Sequence, residues 1–156
     1  MASAPTHATR IALRPLSVSP LETATRYLGA ASILMVGGIH AQQYYDAYFN
    51  SVPTIGTLFL LSFVGAAIVG GVLIAPVRQL GTIGDLALAA AALGAIGIAV
   101  GTFVSLLISE YTPLFGFMES GYRLAVVLTL VFDVVTTVLL GAFLLFVGPR
   151  AIRSLR

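Results

Sequence analysis

A chain of 156 residues in which 58% of side chains are hydrophobic and only 9% charged lacks the polar surface that a water-soluble globule needs, since soluble domains carry about a quarter charged residues. The mean hydropathy of +1.02 points to an all-α integral membrane protein, and a net charge of +2 offers no basic surface for nucleic acid. Cysteine is absent, which excludes disulfides, thiolate metal sites and Cys nucleophiles, and all eight basic residues are Arg, which excludes lysine Schiff bases and the Walker-type phosphate lysine.

In chain order, residues 1–18 are rich in Ala, Ser, Thr and Pro and read as a mobile tail; residues 19–156 form one transmembrane domain. "SPLE" (Ser19–Glu22) has the form of a capping box with Pro at the first helical position, so the first helix starts below the membrane. The first apolar span covers about residues 27–45 and ends on "IHAQQYY". The others cover about 54–75, 86–108 and 124–147, each near the ~20 residues that cross a ~30 Å hydrocarbon core. The outer loops "SVPTIG" and "YTPLFG" share a P-x-x-G pattern, as two related hairpins would.

Four crossings place Arg10, Arg14, Arg26, Arg78, Arg150, Arg153 and Arg156 on one side and leave Arg123 with Asp46, Glu110 and Glu119 on the other. That asymmetry predicts a four-helix up-down bundle in a plasma membrane with both termini cytoplasmic. Tyr44, Tyr45, Tyr48, Phe49, Tyr111, Phe115, Phe117 and Tyr122 gather at the outer interface, as an aromatic belt would. In the rival topology, residues 1–41 are a signal peptide cleaved after "IHA", leaving three spans with the same C-terminal orientation.

The third span carries Ala87, Ala90, Gly94, Gly97 and Gly101, a small-residue seam on which helices approach closely, beside a second ladder, Ala87–Ala91–Ala95–Ala99. Two such faces suit a neighbour inside the bundle and, on the other side, a second copy or a membrane-protein partner. Asp85 is placed to cap this helix, and Glu119 and Arg123 to pair beside the fourth.

Asp133, in "VFDVV", sits mid-span, where an acid costs about 2.5–3.5 kcal/mol and must turn inward. At ~1.5 Å per residue it lies ~14 Å below the outer end of its helix, Ser62 ~12 Å, Thr102 ~9 Å and His40 ~8 Å. Side chains lean toward their own helix N-terminus, which brings His40 deeper and Asp133 shallower. The expectation is a His40–Asp133 pair flanked by Ser62, Thr102 and Thr129, with Gln43 and Tyr44 a turn above. Such a layer serves either as hydrogen-bonded glue in a non-catalytic structural or accessory subunit, or as a proton- or small-solute-handling pocket, or as the vestibule of a lipid- or quinone-linked enzyme. One intramembrane His cannot form a bis-His haem site, and one His with one Asp is too few for zinc or copper, so no metal, cofactor or catalytic residue is expected.

The segment "GGIHAQQYYDAYFNSVPTIGTLFLLSF" (Gly37–Phe63) resembles the first hairpin of uncharacterised small four-span bacterial membrane proteins, in which a His near the outer end of the first helix precedes an "IPTIGPLFLLN"-like run. Val52, Thr57 and Ser62 depart from that pattern. The resemblance implies four spans and no particular activity.

Overall fold

The computed structural model describes residues 18–119 and 121–153, the last without its side chain; the tail at 1–17, with His7, Arg10 and Arg14, and Arg156 lie outside them. The chain is all-helical, with four long helices: α1 Pro20–Asp46, α2 Pro53–Ile74, α3 Thr82–Tyr111 and α4 Leu124–Arg153. Short 3₁₀ turns at Phe49–Ser51 and Val77–Leu80 join α1 to α2 and α2 to α3. α3 and α4 overrun the apolar segments read from the sequence, because their polar ends (Asp85, Glu110, Arg150) continue the helix beyond the part that hydropathy marks.

Three helices, α2, α3 and α4, are long and apolar enough to cross a membrane, with mean hydropathies of 2.4, 2.3 and 2.5. α1 is long enough at 27 residues but falls short on apolarity. The cause is local: Glu22, Arg26, Ser32, His40, Gln42 and Gln43 all belong to it.

Neighbouring helices run antiparallel, and α4 returns to lie against α1, while α1 and α3 barely touch. Close approach is set by small residues. A Cβ added to Gly37 on α1 would stand 2.8 Å from Ala66 Cβ on α2, so only glycine allows this crossing. Leu34 fills the space over Gly70, and Leu140 of α4 covers Gly29. The shared interior contains Ile33, Val36, Leu73, Leu88, Leu140, Phe143 and Val147, with Ala91, Ala92 and Ala95 of α3 between them. α2 and α3 make the loosest of the neighbouring pairs.

The seam expected to pack the third helix is not the one the interior uses. Ala91, Ala95 and Ala99 are buried, whereas Ala90, Gly97 and Gly101 are exposed and Ala87 is half-buried. Gly97 and Gly101 face open space; Gly94 alone approaches a neighbour, Val69. Both ladders suit close packing, and residue size cannot say which one turns inward.

One end of the helices is held by charge. The carboxylate of Glu22, fully buried, accepts from Arg78 in the α2–α3 connection and from Arg150 of α4 at 2.7 Å. Arg26, four residues on, donates to the carbonyls of Leu73 and Ala75 at 2.6 Å each and so satisfies the last turn of α2. The expected capping box therefore forms only in part. Ser19 Oγ accepts from Leu21 N, but Glu22 is drawn away by two guanidiniums. Likewise Asp85 is not the cap of α3; Gly81 holds that position, and Asp85 lies in the first turn, 3.9 Å from Arg78 Nε.

At the opposite end Glu119 binds Arg123 through both carboxylate oxygens, 2.9 Å each, in the connection before α4 rather than on the helix itself. Phe49 stacks on Phe59 and Phe117, with Arg123 over its ring at 5.8 Å. Tyr45, Tyr48, Tyr111 and Tyr122 remain exposed around this end.

Candidate functional site

The loose contact between α2 and α3 opens a groove of about 360 Å³ on the aromatic side of the molecule. Leu58, Leu61 and Ser62 of α2 form one wall; Gly97, Gly101 and Ser105 of α3, spaced by four residues and hence on one face, form the other. The absence of side chains at Gly97 and Gly101 gives the groove its width. Its floor reaches His40 on α1, and Phe117 and Glu119 of the α3–α4 connection also line it.

His40 is 6% exposed. Its Nδ1 lies 2.8 Å from the carbonyl of Val36, one turn back on the same helix, and the ring packs on Phe59 at 5.0 Å. A carbonyl only accepts, so Nδ1 carries the proton, and in the neutral ring Nε2 is left as an acceptor. No protein donor reaches Nε2. Ser62 and Ser105 likewise have no hydrogen-bond partner among the described residues. Ser109 turns back on Leu106, and both oxygens of Glu119 are engaged by Arg123.

Asp133, 1% exposed, is elsewhere. Its Oδ2 accepts from Thr102 Oγ1 at 2.8 Å, while Oδ1 has no partner. It borders a separate cleft of about 210 Å³ between α3 and α4, with Val100, Phe103 and Thr137. His40 and Asp133 form neither a hydrogen bond nor an ion pair with each other. Spacing along a helix gives depth but not rotation: His40 turns toward α2 and Asp133 toward α3. Thr102 joins the two regions, since it lines the groove and donates to Asp133.

Of the remaining residues of the expected layer, Ser62 and Thr102 line the groove with His40, and Thr129, Gln43 and Tyr44 do not. Thr129 bonds its own helix at Ala125 O; Gln43 donates to Gln42; Tyr44 packs edge-on against Tyr45. Sequence reasoning passed over Ser105, which continues the four-residue rhythm of Gly97 and Gly101, and Phe59, and it read Phe117 only as part of an interfacial belt, whereas Phe117 lines the groove and packs on Phe49. Glu22 was read only as a capping residue, and its pairing with Arg78 and Arg150 was not foreseen.

Among the described residues no three His, Cys, Asp or Glu gather closely enough to hold a metal ion. Set against known protein families, curated proteins and solved structures, the chain matches none of them.

Proposed function

We propose that this is a four-span protein of the plasma membrane, an up-down bundle with both termini cytoplasmic, which holds a lipid-phase molecule in the groove between α2 and α3. Supporting the fourth crossing, α1 turns its polar Ser32, His40 and Gln43 inward and leaves Leu28, Ala31, Met35 and Gly38 outside, an apolar face at helical spacing. Mean hydropathy averages over both faces, but lipid meets only one. The Arg26–Arg78–Arg150 end then lies in the cytoplasm and the tyrosine-rich end outside. Reporter domains fused at either terminus should both report a cytoplasmic location; one terminus outside would remove this topology.

The single observation that carries the binding role is a groove open along the exposed Gly97–Gly101–Ser105 face with polar groups at its floor that the protein itself leaves unpaired. Its volume lies within the ~300–1,000 Å³ of small-molecule sites. Gly101→Phe adds a ring at an exposed, groove-lining position where a Cβ meets nothing within 4 Å. The wild-type protein, purified in mild detergent, should carry a lipid-phase molecule detectable by mass spectrometry, and Gly101→Phe should lose it while keeping its helical circular dichroism. Equal carriage by both proteins would end the groove reading.

A second reading has the same exposed small-residue face in its favour: an accessory subunit docking a partner helix on it, as Gly-x-x-x-Gly faces do. Gly101→Phe would then release a co-purifying protein instead.

A further inference from the structure

We propose, resting on the lipid-phase reading of the groove, that its ligand is a neutral amphiphile whose headgroup hydroxyl donates a hydrogen bond to Nε2 of His40, the tail lying along Gly97, Gly101 and Ser105. Three features of the groove select this chemistry.

The first is the floor. His40 is more than nine-tenths buried, its Nδ1 is committed to Val36 O, and Nε2 at the groove floor has no donor. An acceptor that the protein leaves without a donor, at a residue lining the groove, is one that a ligand hydroxyl can satisfy. The second is charge. The one carboxylate lining the groove, Glu119, has both oxygens taken by Arg123, and no Arg lines the groove, so no unpaired charge there selects an ammonium or a phosphate. The free groups are hydroxyls, Ser62 and Ser105, which accept and donate without charge. The third is shape. A helix is about 10 Å across and can cover the small-residue face. It cannot pass between α2 and α3 to a nitrogen on α1. A slender headgroup between Leu58 and Phe59 on one side and Gly101 on the other can.

Two sources supply such a hydroxyl: an aliphatic alcohol headgroup, as in an acylglycerol, and a phenolic one, as in a hydroquinone. The test uses purified full-length protein in lipid nanodiscs and four probes: monoolein, decylhydroquinone, and the fully methylated ether of each. At least one hydroxyl probe should bind roughly tenfold more tightly than its own ether, which cannot donate. Preference for one parent over the other supports the proposal and names the source. His40→Phe should bring the favoured probe down to the affinity of its ether, and leave the ether unchanged.

If each ether binds as well as its parent, the hydroxyl–His40 assignment is overturned, even should His40→Phe fail to fold, while the groove itself survives provided Gly101→Phe abolishes all binding. If no probe binds to wild type, and Gly101→Phe also carries the same lipid-phase molecules as wild type, both readings fall together.

Discussion

Glu22→Gln should lower folding stability by about 3 kcal/mol, because it removes the charge shared by Arg78 and Arg150 and leaves both guanidiniums facing a buried amide. The low end of the range for broken buried pairs applies, since the two Arg side chains are 23% and 28% exposed and regain some solvent. Arg78→Ala should cost less than Glu22→Gln, as Glu22 keeps Arg150. Denaturant titration in detergent, followed by circular dichroism, measures both. An unchanged midpoint for Glu22→Gln would mean that the cluster contributes nothing.

The same group sets a pH dependence. Burial pushes the Glu22 carboxyl up, but the hydrogen bonds and charges of Arg150 and Arg78 outweigh it and hold the pKa below the ordinary 4.5. A depressed carboxyl pKa contributes stability above the unfolded value and loses it as pH falls through the folded one. Wild type should therefore weaken on acidification below about 4.5, and Glu22→Gln should show a flatter profile over that window.

Gly37→Leu is the second large effect, about 3 kcal/mol, at the upper end for overpacked interiors. A Cβ there already stands 2.8 Å from Ala66 Cβ and 3.5 Å from the backbone oxygen of Phe63, and backbone cannot step aside as a side chain can. The adjacent Gly38 has nothing within 4 Å and is exposed. Gly38→Leu should stay within roughly 0.5 kcal/mol of wild type. Similar losses for the two substitutions would show that the α1–α2 crossing does not set the cost of a side chain here.

The contrast between Gly37 and Gly38 also marks how far the sequence was readable. Hydropathy located four long helical segments, with α2 displaced by one residue at each end, because apolar run length is a one-dimensional property. That Asp133 turns away from lipid followed from the cost of burying an acid there. Which neighbour it meets did not follow. The rotation of α1 and α4 about their axes decides that His40 packs on Phe59 and Asp133 on Thr102, and rotation depends on how Gly37, Gly29 and Leu140 fit. Which of the two ladders of α3 faces the interior was left open for the same reason. Glu22 was readable as a capping residue, and the local motif concealed partners 56 and 128 residues away.

Those separations impose an order on synthesis. At ~5–20 residues per second, Arg150 leaves the ribosome roughly 6–25 s after Glu22, with Arg78 arriving between them. Until Arg78 and then Arg150 emerge, the buried acid of α1 lacks the two guanidiniums that pair with it in the fold. Of the four helices α4 is translated last and locks α1, so a nascent protein halted before Arg150 lacks the bolt between them.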